Sequence, residues 1–254
     1  MRVALWLAWL GMLALVGLAY LWVPPAQAFK EPETARIIVF HVPAAFISVG
    51  CFLLGGFFGW RYLRRRDPMD DARSCACNEV GLLFGVLTTV TGMVFAQQQW
   101  GKAWHWDPRQ TTIVIQLLIY AAYFALRASI EDESQRALRS AGYTVFAALT
   151  VPLLIFIIPR IPAIAEMSLH PSNVVAQKGA LDFHYRTAFY FGVLVYALMA
   201  FGMYRLRLQV FALEEQIREL AERSGSGDRY RVGWNLRVSP VAEGADSEPA
   251  EKAP

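Results

Sequence analysis

Six stretches of the chain carry no Asp, Glu, Lys or Arg: Val3–Val23, Ile37–Trp60, Val80–Trp100, Gln110–Leu126, Ser140–Pro159 and Thr187–Tyr204. Each reaches the roughly 17–25 residues that an α-helix needs to cross the hydrocarbon core of a bilayer. Within the runs, apolar and polar residues do not alternate, as they would along the strands of a membrane barrel. An open sheet has no way to satisfy its backbone groups in lipid. The pattern therefore predicts an all-α membrane protein, with six transmembrane helices over residues 1–206. The first run follows Arg2 and precedes Ala26-Gln27-Ala28, which resembles a signal-peptidase site. It exceeds the about 7–15 apolar residues of a signal peptide, so a retained helix is expected.

Beyond Tyr204 the pattern changes. Val210, Leu213, Ile217 and Leu220 recur at spacings of three and four among charged residues, the signature of an amphipathic helix. After Ser224 the chain is rich in Gly, Ser, Glu, Ala and Pro, a composition that favours disorder. Residues 207–254 are thus read as a cytoplasmic amphipathic helix followed by a disordered tail.

Composition agrees with the membrane reading. Hydrophobic residues make up 56% and charged residues 18%, against about 45–50% and about 25% in ordinary globular chains. A net charge of +3 is too small for a nucleic-acid surface. Its distribution says more than its size. With the N-terminus in the cytoplasm, that side collects Arg2, Arg61, Arg64, Arg65, Arg66, Arg73, Arg127, Arg136, Arg139, Arg205 and Arg207. The other side holds Lys30, Arg36, Lys102, Arg109, Arg160, Lys178 and Arg186. The positive-inside rule then places both termini in the cytoplasm. Cys51, Cys75 and Cys77 form no disulfide framework, and Cys75-Ala76-Cys77 falls on the reducing side, in the loop after the second helix. There is no C-x-x-C-H, so this chain attaches no c-type haem covalently.

That topology brings all four histidines to the outer face: His41 at the end of the second helix, His105 and His170 in outer loops, and His184 just before the sixth helix. A neutral imidazole is a good ligand for iron. An interfacial or solvated histidine is commoner than a ligand, and the residues alone leave both readings open. The loop Trp100–Arg109 reads WGKAWHWDPR. An aromatic belt explains one or two tryptophans near a helix end, not three in seven residues. Indole faces stack on planar apolar groups. Lys102 and Arg109 are suited to carboxylates, and Asp107 to holding Arg109 or a backbone turn. The loop has the makings of a platform for a flat anionic ligand.

The segment WGKAWHWDPR resembles the tryptophan-rich motif of haem-handling membrane proteins in cytochrome c maturation. Together with Arg36–Phe46, RIIVFHVPAAF, and the six predicted helices, it is similar over residues 1–206 to the haem exporter protein C (CcmC) family. The resemblance implies that haem b, non-covalently held and in transit, is bound outside the membrane between two axial histidines. By motif these are His41, before Val42-Pro43-Ala44-Ala45, and His170, in Ser168-Leu169-His170-Pro171. Trp100, Gly101, Trp104, Trp106, Asp107 and Arg109 would form the rest of the haem site. His105 stands where the family usually has an apolar residue. In an extended loop its ring should point away from the side shared by Trp104 and Trp106.

The resemblance further implies a carrier, not an enzyme, in the bacterial inner membrane. Such a carrier presents haem to the periplasmic chaperone CcmE, beside CcmD and the ABC transporter subunits CcmA and CcmB. Two other readings exist. A b-type haem electron-transfer subunit would bury histidines near the bilayer middle, and a permease would place charges within its spans. The sequence shows neither pattern.

Overall fold

The computed structural model describes residues 2–170 and 181–223, and these are helical throughout apart from short connections. The first helix, α1, spans Arg2–Gly17 and runs on through a wide π turn at Leu18–Trp22. A 3-10 turn at Pro32–Ile37 leads into α2, Ile38–Arg65. There follow α3 (Pro68–Trp100), α4 (Pro108–Ser129) and α5 (Glu133–Val151), which continues through looser turns to Arg160. A single turn, α6 (Pro162–Ala165), precedes α7 (Phe183–Arg223). Five of these helical runs are long and apolar enough to cross a membrane, and the apolar part of the first, Trp6–Trp22, is shorter. The chain is an all-α membrane protein. The expected disorder of the tail falls on residues 224–254, outside the described residues, as do Pro171 and Lys178.

Helix starts follow local chemistry. Asp67 caps α3 by accepting from the Met69 backbone N–H at 2.9 Å, with Pro68 in the first turn. Asp107 and Pro108 repeat the arrangement for α4, and Asp132 caps α5 through the Gln135 N–H at 2.7 Å. These side chains satisfy backbone donors that no preceding turn can reach. The cap at Asp67 corrects one expectation. Cys75 and Cys77 do not lie in a loop but are buried in the first turns of α3. The connection to α2 is only Arg66 and Asp67, and α3, at 33 residues, is about 50 Å long.

The centre of the bundle is α2. One side packs with α1, α3 and α7 through Leu15, Ala19, Val39, Ala44, Val80, Phe84, Ala188 and Tyr196. The other meets α4 and α5 through Phe52, Tyr120, Ala147 and Val151, with the Phe52 and Tyr120 rings stacked at 3.6 Å. Gly55, Gly56 and Gly59 let α3 and α5 come so close that a methyl group at any of them would collide with Asn78, Ala148 or Thr144. Small residues play this part where lipid supplies no hydrophobic drive between helices. Across these contacts Ser48 and Ser74 donate to the carbonyls of Gly81 and Gly55 at 2.7 and 2.8 Å. Asn78 donates to Thr144 at 2.8 Å. The outward faces are apolar, with Trp6, Trp9, Leu13, Leu118 and Phe146 all exposed, as a lipid-facing surface requires.

Where α3 begins, charges are paired between helices. Asp70, fully buried, meets Arg61 of α2 at 3.1 Å and Arg73 at 3.0 Å. Asp71 takes a bidentate pair of bonds from Arg127 of α4 at 2.7 and 2.9 Å. Glu79 accepts from Arg207 of α7 at 2.8 Å. The histidines stand at the opposite end of α3.

Residues up to Leu213 form one compact unit, and Glu214–Arg223 belong to a second. In the second, Arg218 pairs with Glu215, and Ile217 and Leu220 are exposed. The helix of α7 is unbroken at residues 206–207.

Candidate functional site

The site is built where α3 ends, from parts of four chain segments. Two ties set its frame. The Arg36 guanidinium donates to the Val23 carbonyl at 2.9 Å, fixing the start of α2 against the end of α1. Gln99 and Glu31 bond reciprocally, side chain to backbone, at 2.9 and 3.4 Å, fixing the preceding loop against α3. Within the first turns of α2, Pro43 lacks the N–H that would bond the Val39 carbonyl. Gly192 of α7 packs over that carbonyl, where a methyl group would have no space.

His41 lies between these features, and its Nδ1 is 3.0 Å from Oγ1 of Thr91 on α3. The Thr91 hydroxyl has one hydrogen, which goes to the Leu87 carbonyl at 2.8 Å, with the Thr88 carbonyl at 3.1 Å. Its oxygen is therefore the acceptor, and His41 Nδ1 carries the proton. With the proton on Nδ1, the ring's lone pair is on Nε2.

His170 reaches the same chemical state by another route. Asp107 is 3% exposed, and its two oxygens accept four hydrogen bonds. One oxygen takes the Arg109 N–H and His170 Nδ1, both at 2.9 Å. The other takes Ser168 Oγ at 2.9 Å and the Leu169 N–H at 2.6 Å. Burial alone would push the carboxyl up. The bond and charge of His170, with the two backbone N–H groups, outweigh burial and hold the carboxyl well below the usual range. An ionised Asp107 can only accept, so His170 Nδ1 is the donor, and in the neutral ring the lone pair is on Nε2. The two rings lie within electrostatic reach of each other.

The tryptophan rings make two sets of contacts. Gly101, with φ at 82°, ends α3 and turns the chain away from Trp100. The Trp100 ring stays behind, edge-on to His170 at 5.0 Å and to His105 at 6.0 Å. Trp104 and Trp106 meet each other at 5.7 Å, and Trp106 is 73% exposed. Its backbone sits at φ 55°, an uncommon conformation for a bulky residue and one that marks local strain. His105, between them, turns instead toward Trp100, and its buried Nε2 has no hydrogen-bond partner among the described residues. Gln110, from the first turn of α4, holds this loop by accepting from the His105 N–H at 2.9 Å and donating to the Ala103 carbonyl at 3.3 Å.

Asp107 takes the backbone of Arg109, not its guanidinium. The guanidinium lies within electrostatic reach of Arg160, and its buried Nε has no hydrogen-bond partner among the described residues. Two guanidinium groups close together make a field suited to carboxylates. Lys102 is exposed. His184 belongs to a different place, its ring 4.6 Å from Trp22 at the end of α1. Thr91, Gly92, Gln110 and Ser168 were not singled out by the sequence. Thr91 and Gly92 stand on α3 at the level of His41, and the HVPAA segment gives no hint of that register.

Among the described residues no group of three His, Cys, Asp or Glu side chains stands together as a metal site.

Residues 1–225 match the family model described as heme exporter protein C. Among curated proteins, the chain is 29% identical over 128 residues to "Heme exporter protein C" of Bradyrhizobium diazoefficiens, covering 50% of this chain and 49% of that one. It is 32% identical over 111 residues to the protein of the same name from Paracoccus denitrificans, covering 44% and 46%. With that of Rhodobacter capsulatus it is 27% identical over 204 residues, covering 78% of each. In the first two comparisons the chain spans about half the length of the relative.

Proposed function

The chain belongs to the haem exporter protein C family, and we propose that it holds haem and passes it on for cytochrome c maturation. The observation that carries this reading is the pair His41 and His170, each with Nδ1 held by a neighbouring side chain. In the proposed complex the two Nε2 atoms are the axial ligands of a non-covalent haem b. Trp100 lies against the His170 side, and Gly101 turns the chain clear of it. Arg109 meets the propionates, while Trp104 and Trp106 face outward. Asp107 accepts from His170 Nδ1 and so keeps the ring turned with Nε2 toward the iron. Bis-histidine ligation leaves no open iron position, which suits holding and handing over better than oxygen chemistry.

The recipient is the periplasmic haem chaperone CcmE, and CcmD, CcmA and CcmB are the membrane partners. No catalysis is assigned to the chain. Residues 1–206 are the haem-handling domain in the bacterial inner membrane, with both termini cytoplasmic and the histidine site outside. Alkaline phosphatase fused within Trp100–Arg109 should be active, and fused at Arg66 it should be silent. The reverse pattern would overturn this orientation.

The deciding experiment is co-purification with the chaperone, followed by an absorption spectrum. His41→Ala and His170→Ala should each lower haem content and abolish the low-spin bands while leaving membrane insertion intact. Wild-type spectra in both variants would remove the assignment. His105→Val should keep the low-spin spectrum; loss of haem there, with His170→Ala silent, would make His105 the ligand.

A further inference from the structure

We propose that Thr91 and Gly92, adjacent on α3, are positioning residues that form the seat of His41. The proposal rests on the haem-carrying reading above and adds to it the part of the molecule that aims one of the two nitrogens. A Cβ at position 92 would lie 2.9 Å from His41 Cε1, 3.5 Å from Nδ1 and 3.9 Å from Nε2. The imidazole therefore fills the space that any other residue's side chain would claim. Because the nearest atoms belong to a side chain and not to backbone, an added methyl group would displace the ring while leaving the helices in place. Thr91 supplies the direction. Its hydroxyl hydrogen is directed to a carbonyl of its own helix, at 2.8 Å for Leu87. Only an oxygen lone pair is left for His41 Nδ1, and with Nδ1–H engaged the ring can neither flip nor change tautomer without losing that bond. Space and hydrogen bond together place Nε2 as the donor atom. Removing a partner of this kind behind a metal-bound histidine typically costs about 10–100-fold in affinity.

The test uses the full-length protein in detergent, loaded with haem, and two readouts: the absorption spectrum and the rate of haem loss to excess apomyoglobin. Thr91→Val keeps the shape and removes the acceptor, and should speed haem loss about 10–100-fold. Thr91→Ser should restore the wild-type rate. Gly92→Ala should convert the low-spin bands to high-spin at unchanged protein yield. Thr89→Val is the control on the same helix, since that hydroxyl bonds the Gly85 carbonyl at 2.9 Å; it should match wild type. Wild-type spectra and rates in Thr91→Val and Gly92→Ala, alongside loss of the low-spin bands in His41→Ala, would overturn the seat and leave the haem reading standing. A wild-type spectrum in His41→Ala would overturn both. If Gly92→Ala does not accumulate, the Thr91→Val and Thr91→Ser pair decides.

Discussion

The two ends of α3 use buried charge in opposite ways. Where the helix begins, Asp70, Asp71 and Glu79 each meet a guanidinium from a neighbouring helix, and the charges answer one another. Where it ends, Asp107 meets an imidazole, and the neutral ring keeps a lone pair on its other nitrogen. The first end is a clamp joining α2, α3, α4 and α7. The second is a holder, in which the carboxylate commits one side of a ring so that the other side can bind something else. A carboxylate facing Arg has nothing further to offer, because guanidinium has no lone pair to present. Facing His, it sets a tautomer.

The largest expected effect lies at the clamp. Arg127→Ala leaves Asp71 buried without its bidentate partner, and breaking such a pair costs about 3–5 kcal/mol. Thermal unfolding in detergent should show the loss, while haem bound per folded molecule stays at the wild-type level. A fall in haem content per folded molecule would show that the two ends are coupled and break the comparison. At the holder the order of effects should reverse. Asp107→Asn can still cap α4, yet it loses the charge facing His170. Haem retention should weaken by about 10–100-fold with a smaller change in unfolding temperature.

Trp106→Ala sharpens the contrast further. With the side chain 73% exposed, its removal should change stability by no more than about 0.5 kcal/mol. Loading of the chaperone should fall while the iron spectrum stays the same. Unchanged loading would assign Trp106 to the membrane interface instead.

The smallest effect is expected at Asp132, an exposed cap that belongs to neither end. The Gln135 N–H and the Ser134 hydroxyl hold its carboxyl below the ordinary value. A carboxyl depressed in the folded state stabilises above its unfolded value, about 3.9, and that contribution is lost as pH falls through the folded value. Asp132→Asn keeps a capping oxygen and should flatten this acid limb without altering stability at neutral pH. An acid limb identical to wild type would show that the cap has no part in it.

Much of the fold was legible because lipid allows so few solutions. Backbone groups in hydrocarbon must be satisfied within each segment, so an uncharged run of the right length is already a helix. Charges were harder to read. Arg61–Arg73 looks like a loop by composition, yet Asp67-Pro68 starts α3 there, and Asp70, Asp71 and Arg73 are accommodated by ion pairs from other helices. The Asp-Pro pair was the available signal. At the site, the motif singles out His41, His170 and the tryptophans one by one, but not how they are shared out. Trp100 parts company with Trp104 and Trp106 because Gly101 turns the chain between them.

The sequence by itself determined the spans and the identity of the chemically unusual residues. Each of these depends on local composition or on neighbours within one turn. The tertiary structure alone decided that Thr91 and Gly92 stand at His41, and that Asp107 takes up His170 from 63 residues away. A tautomer is fixed by whichever group lies opposite the ring, and helix packing, not sequence spacing, chooses that group.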